Sequence, residues 1–323
     1  MNKWDINYFR VQGGLKTIQP NVPDDLFLVC AGYEERSFAA ARSFSPDYRA
    51  KVGIIYKNEE LFDNHQSRNA EHSLTILSDT LKRHCDQVSE ISGSWVDAKK
   101  QLLALRSSLI QRSEIGTKRK TITVDTTTFN RESLLVALSI LRNTSVKPNL
   151  RVVYVSPKQH GDWLSRGFRE VRNVMGFAGM HNPSRKSVLM ILSGFEPERV
   201  LNIIDKHEPY KVLLGIGDPP TKPEFLDRNL IEQKLVFSRQ QVEEFRFPVV
   251  DFKFCQKILR EALSSYINEY NIVIAPMSTK LSTIAAYLLV ESQPEIQITC
   301  GVPGEYNTEN YSSGISAMYM DQI

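Results

Sequence analysis

The chain has 323 residues, 41% hydrophobic and 24% charged, with a net charge of +3. That composition is that of a soluble globular protein long enough for two ordinary domains. So small a charge argues against bulk nucleic-acid binding, and with no apolar run near ~20 residues no membrane association is expected. The N-terminus, MNKWDINYFR, has no apolar leader segment, and the four cysteines stand at no metal-ligand spacing. Reduced thiols and a cytoplasmic location are the expectation. No metal site is expected, and no cofactor is identified.

In chain order, residues 1 to about 23 read as an arm. Leu26–Cys30 is a short unbroken apolar run before Ala31-Gly32, which suits a strand covered on both faces. A short helix over Phe38–Phe44 and a strand over Lys51–Tyr56 follow. Leu74–His84 has apolar residues at helical spacing. Val88–Ile91 reads as a strand, Val96–Ile110 as a helix and Thr121–Val124 as a strand. Asp125-Thr126-Thr127-Thr128 then leads to a helix over Arg131–Leu141 and a strand over Leu150–Val155. Residues 158–186, with mixed charge, glycines and Pro183, read as a linker or crossover. The second half has strands at Val188–Leu192, Lys211–Ile216, Ile272–Ala275 and Ile296–Cys300. Its helices are expected around Val200–Asp205, over Phe254–Tyr266 and over Leu281–Val290. Strands alternating with helices argue for parallel α/β sheets.

The two halves echo one another. Leu26–Ser37, LFLVCAGYEERS, answers Val188–Arg199, VLMILSGFEPER. Lys51–Ile55 answers Lys211–Gly215, Val124–Ala137 answers Ile274–Tyr287, and Val152–Pro157 answers Ile298–Pro303. Four matched segments in one order point to an internal duplication. The expected architecture is two Rossmann-like open parallel sheets with flanking helices, packed as a pseudo-dimer. The boundaries fall at 1–157 and 187–323, with 158–186 between them.

Ligands of open α/β sheets bind beyond the carboxyl ends of the strands, at the switch point of strand order. The chemistry-bearing residues fall at those tips. Ser278, Thr279 and Lys280 stand between a strand and a helix, where two hydroxyls, an ammonium and a helix N-terminus could cradle a phosphate. A plain N-cap with a solvated lysine explains the same residues. Gly194 would admit a ligand to the backbone, and Asp218 ends a neighbouring strand. In the first half, Gly32, Arg36, Thr126, Thr127 and Asn130 are candidate ligand contacts. Glu34, Glu35 and Asp125 are candidate catalytic carboxylates, since a carboxyl with a raised pKa can serve as acid or base. Ion pairing of Glu34 or Glu35 with Arg36, and a cap by Thr128 or Asn130, is the plain alternative. His65 and His72 read as surface histidines, and Lys118-Arg119-Lys120 as a solvated basic turn.

The small-Gly turn at Ser193-Gly194, with Thr279-Lys280 before an apolar helix, resembles the CRISPR-associated Rossmann-fold (CARF) sensor domains. SAVED domains, similar to a fused pair of such units, fit a duplication within one chain. The first half departs from the pattern, with Asn130-Arg131 in place of Thr-Lys and Asp125 where the second half has Ala275. The resemblance implies a nucleotide-type ligand of the cyclic-oligonucleotide kind, sensed in prokaryotic antiviral defence. It also implies a separate effector protein. Two other readings stand beside it: a nucleotide or NAD N-glycoside hydrolase using Glu34, Glu35 and Asp125, and a non-catalytic assembly subunit of a multiprotein complex.

Overall fold

A computed structural model describes residues 23–62, 67–113, 119–144, 146–219, 222–239 and 242–323. The N-terminal arm, His65 and Lys118 lie outside them. The apolar runs form the centres of two separate sheets, and the amphipathic stretches between them form the covering helices.

The first repeat opens with β1 (Asp24–Ala31), a single 3₁₀ turn over Glu35–Phe38 and α1 (Ala39–Arg42). It continues through β2 (Ala50–Asn58), α2 (Arg68–His84), β3 (Cys85–Gly93) and α3 (Ala98–Ser113). β4 (Thr121–Asp125), α4 (Arg131–Arg142) and β5 (Asn149–His160) follow. β6 (Ser165–Asn173) then lies inside the stretch expected to be a linker. The second repeat comprises β7 (Ser187–Ser193), α5 (Pro197–His207), β8 (Lys211–Asp218), α6 (Pro223–Glu232), α7 (Lys234–Phe237) and β9 (Val242–Pro248). It ends with α8 (Phe252–Leu263), β10 (Asn271–Pro276), α9 (Lys280–Ser292), β11 (Gln297–Tyr306) and β12 (Ser312–Gln322). The elements α6, α7, β6, β9 and β12 have no counterpart in the sequence reading. β6 and β9 are edge strands in which charged residues interrupt the apolar ones, so neither has the run that marks a central strand.

Two six-stranded sheets result, ordered β12-β5-β4-β1-β2-β3 and β6-β11-β10-β7-β8-β9. In each, the central strands pair in parallel and one edge strand, β12 or β6, runs antiparallel to its neighbour. The two orders superimpose strand for strand, as a duplicated Rossmann-like fold requires. Their switch points lie between β1 and β4 and between β7 and β10. Phe27, Val29, Ile55, Leu77 and Leu81 anchor one core; Leu189, Ile191, Val200, Ile203 and Leu214 anchor the other.

The compact units do not follow the repeats. One unit contains residues up to Asp162 together with Asn307–Ile323; the other is Trp163–Tyr306. The strand after β5 thus joins the second sheet, and the strand after β11 joins the first. Among the described residues no helix is long and apolar enough to cross a membrane.

Candidate functional site

The candidate residues fall into two sets, one at each switch point. In the first unit, Gly32 follows β1 because a side chain there would strike Thr128: a Cβ would lie 2.8 Å from the threonine Cβ. Thr128 in turn donates its hydroxyl to the Cys30 carbonyl at 2.6 Å, which ties the tip of β1 to the turn after β4.

Glu34 and Arg36 form a buried ion pair, Nη2 to Oε2 at 2.5 Å and Nε to Oε2 at 3.1 Å. Arg36 Nη1 also donates to the Val155 carbonyl at 2.7 Å, and Nε to Ser312 Oγ at 3.2 Å. The Ser312 hydroxyl closes the triangle on Glu34 Oε2. Burial opposes the Arg36 charge, but Glu34 together with Tyr154 and Tyr311 more than offsets it, so the guanidinium is held charged. Glu35 accepts from the backbone N–H of Gly314. Both glutamates are therefore bound to their own chain, in line with the ion-pair reading.

The second unit repeats the triangle. Arg199 pairs with Glu196, and Ser165 Oγ touches both. Ser165 and Ser312 are each the first residue of the antiparallel edge strand. Sequence reading missed both serines. The available signal was a shared Ser-x-Gly, Ser165-Arg166-Gly167 against Ser312-Ser313-Gly314, whose glycines both adopt left-handed φ of +67° and +65°.

Asp125 ends β4 and is buried, 1% exposed. Its Oδ1 accepts from the Thr127 backbone at 3.0 Å and from the Thr127 hydroxyl at 2.5 Å, while Oδ2 has no hydrogen-bond partner. Thr127 Oγ1 accepts from Val155 N at 3.0 Å, and Thr126 donates to the Val153 carbonyl from its amide and its hydroxyl, each at 2.8 Å. Burial pushes the Asp125 carboxyl up to about 7, against the downward pull of the Thr127 hydrogen bonds and the Arg36 charge. Such a group exchanges its proton near neutrality.

Asn130 caps α4, accepting from Ser133 N at 2.8 Å. Its amide nitrogen donates to Asn58 Oδ1 at 3.0 Å and to Gln101 Oε1 at 3.3 Å. Asn58 ends β2 and Gln101 lies on α3, so three amides from three elements converge beside the crevice; nothing in the local sequence marks Asn58 or Gln101.

In the second unit, Thr279 caps α9, accepting from Ser282 N at 3.3 Å and donating to the Val249 carbonyl at 2.7 Å. Lys280 is the first helical residue, half-buried, and the first turn carries no acidic side chain. Ser278 lies where the tips of β7 and β8 meet it: Cβ atoms at Gly194 and Gly217 would come within 3.8 Å of its Cα and 3.2 Å of its Oγ. Gly194 itself is occupied by the protein. A Cβ there would lie 2.7 Å from the Met277 carbonyl, and Gln233 Nε2 bonds the Gly194 carbonyl at 2.8 Å. Close packing of two strand tips accounts for this glycine. Asp218 ends β8, half-exposed.

Beside this crevice, α6 brings Phe225 and Arg228 onto Phe195. The two rings lie edge to face at 5.8 Å, and the Arg228 guanidinium lies 4.6 Å over Phe195. Lys222 sits 4.7 Å over Phe225. The sequence reading assigned no element to residues 222–239 and so missed this aromatic-cation group.

No family model matches the chain, and no curated protein matches it in sequence. A search of solved structures finds similarity to a Type III CRISPR defence DNA nuclease activated by cyclic oligoadenylate, at 9% identity and a TM-score of 0.44. The likeness covers 82% of this chain and 63% of that one, so the chain spans less than two thirds of the nuclease's length.

Proposed function

We propose that this protein is a nucleotide-sensing binding module whose second-unit crevice takes the phosphate. One observation carries the reading. Both switch-point helices open with a capping residue followed by a cation, Asn130-Arg131 on α4 and Thr279-Lys280 on α9. A cation in the first turn opposes the helix dipole, which favours anions there. A phosphate bound there is attracted by the helix N-terminus and by the cation together. Phe195 and Arg228 supply flat surfaces suited to a base, and Lys222 a further positive charge.

The finer reading follows the resemblance of Ser193-Gly194 and Thr279-Lys280 to CARF turns. The ligand is a cyclic oligonucleotide made during prokaryotic antiviral defence, and a separate effector protein receives the signal. Titration calorimetry with a panel of cyclic and linear oligonucleotides tests this. Lys280→Ala is expected to weaken binding about tenfold or more, as loss of a charge-assisted contact does. Absence of binding by every member, or binding indifferent to Lys280→Ala, rejects the reading.

One observation favours a second reading, hydrolysis of a nucleotide or NAD. Asp125 is a buried carboxyl with an unpaired oxygen and a proton affinity near neutrality. Glu34 and Glu35 are engaged elsewhere, so Asp125 is the acid or base of this reading. Product formation from NAD or nucleotides that is lost in Asp125→Asn supports it, and absence of turnover removes it.

A further inference from the structure

Each repeat ends in a strand that the other repeat's sheet receives. β6 follows β5 but pairs with β11, at seven register positions from Ser165 to Asn173. β12 follows β11 but pairs with β5, at nine positions from Ser312 to Gln322. The connections, 161–164 and 307–311, have hairpin lengths. A fold-back pairing of β5 with β6 was therefore open to the chain, and it is not the one adopted. The receiving site is alike in both cases. The arriving strand leads with a serine placed between a buried glutamate and arginine of the turn after the first strand. Two residues on, a left-handed glycine bends it, and a register shift follows in each ladder. β12 adds a buried apolar face, with Met318 packed beside Val153, Val155, Ala39 and Ala40.

From this reciprocal pairing we infer that the chain is a fused strand-exchanged dimer. The edge of β5 or β11, with its Glu-Arg pair, is a binding site for a Ser-x-Gly strand, and the partner it fits is a second copy of the same repeat. The peptide link between β6 and β7 is then not what holds the repeats together. Residues 181–185 in that link are exposed and outside any strand, and provide the place to cut.

The test uses the full chain with a protease site inserted after Ser184. After cleavage, native mass spectrometry at micromolar concentration is expected to show one species containing both pieces. Ser165→Ala combined with Ser312→Ala, and separately Met318→Ala, are expected to raise the concentration at which the cut pieces part by about tenfold or more, since each removes a hydrogen bond to a charged group or a buried contact. Lys51→Ala, which removes an exposed ion pair with Asp25, is the control and leaves that concentration unchanged. Separation of the cut wild-type pieces at micromolar concentration overturns the inference. So does a cut protein whose serine and methionine variants part no more readily than the control. The serine variants delete only hydroxyls, which keeps the test usable should Met318→Ala fail to fold.

Discussion

At the scale of single residues, Asp125 has the clearest measurable consequence. Its carboxyl goes from an ordinary value of 3.8 to about 7 on folding. The folded state therefore holds this proton over a pH range in which the unfolded chain has lost it. Native stability falls as pH rises from about 4 through about 7, because folding must then bury a charge or take up a proton. Melting temperature measured across that range is expected to decline less steeply for Asp125→Asn than for the native protein. Equal slopes would show that Asp125 is not the titrating group. The aspartate's position at a strand tip was legible in the sequence. Its burial and its unpaired oxygen were not, because both depend on what β1 and β5 place around it. Glu34, Glu35 and Arg36 show the same limit. Their proximity was legible, but the serine that completes the triangle lies 276 positions from Arg36 along the chain.

At the scale of elements, α9 depends on Thr279 twice, through its cap on Ser282 and its hydroxyl bond to Val249. Thr279→Ala is expected to cost about 1 kcal/mol or somewhat more in denaturant unfolding, the usual worth of a cap. An unchanged midpoint would mean the cap contributes nothing. That strand-turn-helix succession was readable from an apolar run, hydroxyls and a second apolar run. The same reading passed over β6 and β9, whose polar residues face outward along sheet edges. An edge strand is recognised by the ladder it joins, and periodicity alone does not record that ladder.

At the scale of the whole molecule, the last strand belongs to the second repeat by sequence and to the first sheet by structure. Met318→Ala is therefore expected to destabilise the first unit by about 2–5 kcal/mol, the range for truncating a buried methionine. Hydrogen exchange checks it: the amides of β4 and β5 should lose protection. Protection lost only from β11, the strand preceding it in the chain, would contradict the pairing. The order of strands within each half, and the fact of duplication, could be read from four matched segments. The division into units could not, since residues 158–186 look like a linker while containing a strand of the second sheet.

The sequence by itself determined that the chain is α/β, that its two halves are copies, and that its candidate residues fall at strand tips. Those properties are local: apolar runs, helical spacing and turn residues express them within a few positions. Only the tertiary structure decided how each carboxylate is paired and which repeat each edge strand completes. Both depend on pairings between residues far apart in the chain, Ser312 with Glu34 and Ser165 with Glu196 among them. A buried charge is satisfied by whatever the fold brings beside it, and a strand by whichever edge it reaches, and neither partner is recorded in the residues on either side.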